Sequence, residues 1–285
     1  MNILIIGLSL AAMLFLLSAG LTLIFGMGGI INFAHGSFYM LGAYGGFQVI
    51  DSTGSFWLAL VLAPLGGAAV GVLVERLALR PVYNREPYVQ MLLTFGVILI
   101  LEEGVRAVWG LDYKDVSAPA VLAAPVHVLG ATVSAFRLFL IAFGAAMAAL
   151  LFLVLEKTPV GTVVRAASAD PEMVRALGIN VGLVRTGVFA FGTGLAALAG
   201  AVTAPLFPVE LGMGFGVIID CFVVVVIGGL GSIKGAVAAS LLLGLVRAGG
   251  YGFAPEWVDL LSYCLLIAVL LLRPHGLFGR QRRLA

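Results

Sequence analysis

Two glycine-rich interruptions bring polar side chains into an otherwise apolar sequence. The first reads Gly26-Met-Gly-Gly-Ile-Ile-Asn-Phe-Ala-His-Gly36, and the second Gly228-Gly-Leu-Gly-Ser-Ile-Lys-Gly235. Asn32 and His35 add side-chain hydrogen bonding to the first, Ser232 and Lys234 to the second. Unwound backbone at membrane depth is tolerated only where it is buried in protein or lines a wet cavity. Interrupted segments in corresponding positions of a transporter point to its substrate path. Asn32, Phe33, His35, Gly228, Gly229 and Gly231 are therefore candidates for the lining of such a path; an ordinary tight turn is the competing explanation. Asp220 joins them, because it stands in the apolar run IIDCFVVVVIGG and an acid within a membrane segment calls for a functional explanation. It also lies near the end of its segment, where a wet vestibule would accommodate it.

Other chemistry is excluded by spacing. A phosphate-binding loop needs G-x-x-x-x-G-K followed by Ser or Thr, whereas Lys234 is followed by Gly235. His35, His127 and His275 have no metal-ligand spacing, so no metal site is expected. Cys221 and Cys264 sit in apolar runs as small buried hydrophobes. No nucleophile has a base at useful spacing, so the chain is not read as an enzyme. Glu102, Glu103 and Arg106 form a local charge cluster in which Glu102 and Arg106, four apart, are expected to pair on one helical face.

The elements that must position these residues follow from composition. The chain has 285 residues, 62% of them hydrophobic and 11% charged. Its mean hydropathy is +1.15. Soluble domains carry roughly a quarter charged residues. The expected class is all-α, a polytopic helical membrane protein forming one domain over 1–285. Continuous apolar runs argue against a β-barrel. Apolar segments fall at 3–25, 37–50, 56–74, 89–108, 136–155, 186–204, 217–230, 233–248 and 257–272, giving about 8–9 membrane segments. The first lacks a basic leader and a cleavage site, and reads as a retained span.

Basic residues set the orientation. Arg76, Arg80 and Arg85 form one cluster, Lys157, Arg165, Arg175 and Arg185 a second, and Arg273, Arg280, Arg282 and Arg283 a third. All three belong on the cytoplasmic side, with the N-terminus external and 273–285 a basic cytoplasmic tail. Returning from Arg185 to Arg273 takes an even number of crossings, which requires 217–248 to break at Gly228–Gly231. Small residues four apart, at Gly42 and Gly46, Gly67 and Gly71, and Gly192, Ala196 and Gly200, suit close packing of helices in lipid.

Between Glu156 and Arg185 the chain leaves the membrane, and this island is expected to hold one short helix. Asp170 is a good N-cap, Pro171 suits the first helical position, Glu172 favours the first turn and Gly178 is a left-handed stop. Arg175 adds a basic residue near its end. A charged, well-bounded helix on the surface of an apolar protein suits contact with another protein.

Five motifs carry a family resemblance. INFAHGSFYMLGAY at 31–44, VERLALRPV at 74–82, RAASADPEMVRALGIN at 165–180, VIGGLGSIKGA at 226–236 and LLRPHGLFGR at 271–280 closely resemble permease subunits of branched-chain amino-acid ABC importers, specifically the LivH type. The resemblance runs in order from about 20 to 280. It implies a bacterial or archaeal plasma-membrane subunit working with two ATPase subunits, an external binding protein and a second permease, either a copy of itself or a LivM-type sister. ATP and magnesium would be bound by those partner chains, and this chain would hold no cofactor. It would face membrane lipid and no nucleic acid. The island helix at 171–177 would be the coupling helix seated in an ATPase groove, with Asp170 and Gly178 its mechanical ends. Leucine, isoleucine and valine are the commonest cargo of this family, urea and short amides the alternative. A stand-alone ion-coupled transporter would have no use for the island.

Overall fold

Each of the nine apolar segments lies on a helix in the computed structural model, which describes residues 2–83, 85–128 and 131–279. In chain order these are α1 (Asn2–Gly28), α2 (His35–Thr53), α3 (Phe56–Val74) and α4 (Pro87–Trp109), then α6 (Ala135–Lys157) after a four-residue α5 (Ala120–Ala123). The island contributes α7 (Pro159–Ala169) and α8 (Pro171–Ala176), and the bundle finishes with α9 (Val181–Thr203), α10 (Met213–Gly228), α11 (Ile233–Phe253) and α12 (Val258–Leu272). Among the described residues six helices are long and apolar enough to cross a membrane, α10 being shorter at 16 residues. One small departure from the all-α expectation is a hairpin, β1 (Pro125–Val128) against β2 (Ala131–Ser134).

Helices α1 and α9 form the centre, with α11 packed along α1 and with α2 and α3 along α9. Lipid supplies no hydrophobic force to draw helices together, so close backbone approach must do so. The small-residue faces do this work. A Cβ on Gly20 would stand 2.3 Å from the Gly192 carbonyl oxygen, and one on Gly42 would stand 2.1 Å from that of Ala197. The outer helices α3, α4, α6 and α12 turn Leu65, Leu92, Leu153 and Leu271 outward, a surface suited to lipid chains.

Polar side chains define the helix starts. Ser55, Thr158, Asn180 and Ser232 each accept the backbone N–H three residues on, at 3.1–3.3 Å. Thr158 and Pro159 correct the expected picture of the island, which holds two helices where one was expected. Thr158 caps α7 and Pro159 occupies its first position, the same chemistry that begins α8.

The first two basic clusters and Arg273 of the third share one end of the bundle. The Arg185 guanidinium lies 5.3 Å over the Tyr83 ring, and Arg80 reaches Gly182. Beyond Arg273, Gly276 and Gly279 pack on Gly229. Arg280, Arg282 and Arg283 lie outside the described residues. At the opposite end Lys114 and Val209 exchange backbone hydrogen bonds, and Ile3 packs by Gly252.

Candidate functional site

The island is tied down on one side and open on the other. Asp170 ends α7 and begins α8, its carboxylate accepting the N–H groups of Glu172 and Met173 at 3.1 and 2.9 Å. At the far end Gly178 has φ +82°, the Gly178 N–H donates to the Arg175 carbonyl and the Ile179 N–H to that of Val174. These bonds make a Schellman stop, which needs a residue at ease in the left-handed region. Val174 is buried, and with Ile179 it anchors the turn to the core. Met173 and Leu177 stay 62% and 72% exposed beside Glu172 and Arg175. Apolar side chains held outward on so short and well-bounded a helix suit contact with a partner surface.

The first interruption is shorter than the glycines suggest. Helix α1 continues through Gly26 and Gly28, and residues 29–34 form the link. That link turns back into the bundle. His35 Nε2 lies 3.0 Å from the Leu17 carbonyl oxygen, so α2 begins level with the middle of α1. Ile30, Asn32 and Ala34 are buried, and the Phe33 ring packs on Phe222 of α10 at 5.0 Å between centroids. Asn32 Oδ1 accepts the Ala34 N–H at 3.1 Å, and the Phe33 N–H donates to Thr94 Oγ1 of α4 at 3.4 Å. Asn32 Nδ2, His35 Nδ1 and Thr22 Oγ1 are buried and have no hydrogen-bond partner among the described residues. Irregular backbone and unpaired polar atoms at mid-bundle are what a path for a polar solute requires.

The second interruption spans residues 229–232 and meets the last turn of α1. Gly231 Cα lies 3.3 Å from where a Cβ on Gly26 would stand, and Gly228 packs directly on Gly235. The last carbonyls of α10 are already used, because the N–H groups of Leu277 and Phe278 donate to Ile227 and Gly228 at 2.8 and 3.0 Å. The start of the expected tail is thus folded against the interruption. Positive φ at Gly229 and Gly231, +97° and +81°, lets the chain make this turn.

Asp220 is not with them. It pairs with Arg247 of α11, and Arg247 also reaches Asp259 of α12. Arg106 pairs with Glu103 at 3.1 Å, three residues away, and not with Glu102 as the spacing suggested. Among the described residues no group of His, Cys, Asp and Glu could hold a metal ion.

The match to the family described as the branched-chain amino acid transport system permease component covers residues 3–270. The chain belongs to that family. The high-affinity branched-chain amino acid transport system permease protein LivH of Escherichia coli strain K12 is 32% identical, over 96% of this chain and 94% of that one. The permease protein BraD of Pseudomonas aeruginosa is 32% identical over the same shares. A probable permease protein LivM of Methanocaldococcus jannaschii is 27% identical, over 92% of this chain and 79% of that one. No solved structure matches.

For this permease, sequence reasoning passed over several polar groups that prove well placed. Arg247 lay inside a segment counted as apolar, yet an intramembrane Arg with an Asp nearby is itself a signal. Glu75 was quoted only as part of a motif. It is fully buried, its Oε1 accepting the Tyr83 hydroxyl and its Oε2 the Thr186 hydroxyl, both at 2.7 Å. Burial, and then the Glu75 contact, hold the Tyr83 phenol above its usual range and so keep it a donor.

Proposed function

We propose that this chain is the membrane-spanning permease of an ABC importer and forms the translocation path for leucine, isoleucine and valine. Separate ATPase subunits drive it, binding ATP and magnesium, while an external binding protein delivers the amino acid. A second permease, a copy of this chain or a LivM-type sister, completes the pore. The end carrying the basic clusters faces the cytoplasm, in keeping with the excess of arginine there. The reading rests above all on relatives named for branched-chain amino-acid transport that align along nearly the whole chain.

In this scheme α8 is the coupling helix. Asp170 and Pro171 fix its start, Gly178 fixes its stop, and Glu172 and Arg175 flank the apolar contacts of Met173 and Leu177 with the ATPase. Closure of the ATPase dimer displaces this stiff element as a rigid body. Asn32, Phe33 and His35, with the glycines at 228, 229 and 231 and Asp220, belong to the segments that rearrange as the path opens. The chain itself carries out no hydrolysis.

Uptake by proteoliposomes holding the complex tests the cargo. With its binding protein, ATP-dependent accumulation of labelled leucine, competed by isoleucine and valine but not urea, is expected. Accumulation of urea instead would move the chain to the amide-transporting branch of the family.

A further inference from the structure

Glu75 sits where the end of α3, the turn before α4 and the start of α9 meet. It opens a single π-helical turn, Glu75–Leu79, at the end of α3. Such turns are uncommon and occur frequently at functional sites. Its carboxylate is wholly buried, and among the described residues both oxygens are taken by hydroxyls, Tyr83 at one and Thr186 at the other. Burying a carboxylate is costly, and apolar residues of the same volume would hold two helices together as well. A buried acid that clasps two elements is therefore poorly explained by stability alone.

The two hydroxyls lead in opposite directions. Thr186 lies in the second turn of α9, whose first turn is capped by Asn180 directly after the Gly178 stop of α8. Arg185, beside it, stacks on the Tyr83 ring, and its buried Nε has no partner among the described residues. Beyond Tyr83, the Gln90 side-chain amide donates to the carbonyls of Val82, Tyr83 and Arg85 at 3.2–3.4 Å, fixing this turn to the start of α4. One turn further along α4, Thr94 holds the Phe33 N–H of the re-entrant link. A small cavity lined in part by Ile30, Tyr83, Arg185 and Phe189 lies between Tyr83 and the link.

We propose that Glu75 is a positioning residue for transport, the joint through which displacement of α8 reaches the re-entrant link at 29–34. The inference rests on the reading of α8 as the ATPase contact. Glu75→Gln keeps the volume but removes the charge and replaces one acceptor oxygen by an NH2 donor, so one of the two hydroxyls must turn from donor to acceptor. Tyr83→Phe and Thr186→Val each remove one strap with little change of shape.

The test uses the complete importer in proteoliposomes, measuring leucine uptake and ATP hydrolysis together. Glu75→Gln is expected to assemble and to hydrolyse ATP while uptake per ATP falls about tenfold. The Tyr83→Phe/Thr186→Val double variant is expected to match it, and adding Glu75→Gln to that double to cost nothing more. Uptake per ATP within twofold of the unmodified importer overturns the proposal. A parallel fall of uptake, hydrolysis and complex yield does so too, since that marks a purely structural residue. Should Glu75→Gln not assemble, the two single hydroxyl variants decide, and unchanged uptake per ATP in both refutes the joint. An unmodified importer without ATP-dependent uptake defeats the functional reading, and this inference with it. A coupled importer with indifferent Glu75 variants defeats only the inference.

Discussion

A few charged residues in this protein are held by specific partners. Arg247 is the clearest case, joining Asp220 of α10 and Asp259 of α12. Arg247 and Asp220 are largely shielded, so removing Arg247 leaves Asp220 buried and unpaired, at a cost of about 3–5 kcal/mol, whereas removing Asp220 leaves Arg247 its contact with Asp259. Arg247→Met should lower the thermal stability of the detergent-solubilised protein markedly, and Asp220→Asn added to it should restore part of the loss. Asp259 is mostly exposed, and Asp259→Asn should cost no more than about 1 kcal/mol. Two equal effects from Asp220 and Asp259 would contradict this division. At this scale the sequence was only partly legible. The unusual types at Asn32, His35 and Asp220 drew notice because they interrupt apolar runs. Glu75 did not, because it sits beside Arg76 and reads as part of a solvated turn. Its burial depends on Thr186, 111 positions away, a contact that local pattern does not encode.

Elements were read more surely than contacts, because caps and apolar length are local properties. All nine apolar segments were placed, and the break at 229–232 followed from counting crossings between basic clusters. The missed element was α7. Thr158 and Pro159 start it with the same logic as Asp170 and Pro171, but its weakly apolar sequence resembled a loop until its Gly161 and Ala167 faces found the bundle. Small residues four apart marked several of the close helix contacts, at Gly42, Gly67, Gly71 and Gly200, but not those at Gly36 with Gly214 or Gly228 with Gly235. Gly42→Val should therefore destabilise the folded protein by about 3 kcal/mol or more, since overpacking a filled contact against backbone has no cheap relief. Thermal unfolding in detergent would check this. The same substitution at Gly66, whose Cβ would meet open space, should cost about 1 kcal/mol at most.

At the scale of the whole molecule, one end gathers the island, both interruptions, the Glu75 clasp and the residues following Arg273. The parity argument anticipated that gathering for the basic clusters. It could not show that the link at 29–34 folds back to mid-bundle, or that residues 277 and 278 bond to the end of α10, since both depend on long-range packing. The arrangement gives the molecule a working end, in which a partner pressing on α8 lies a short chain of polar contacts from irregular backbone inside the membrane. Coupling across that distance is the central claim. Its most direct measurement is leucine uptake and ATP hydrolysis in the same proteoliposomes, comparing the unmodified importer with Asp170→Ala/Pro171→Ala and with Gly178→Pro. Both variants loosen α8 at its ends and leave the membrane helices intact. The expected result is retained insertion and ATP hydrolysis with uptake reduced at least tenfold. Uptake equal to that of the unmodified importer would contradict the role of α8.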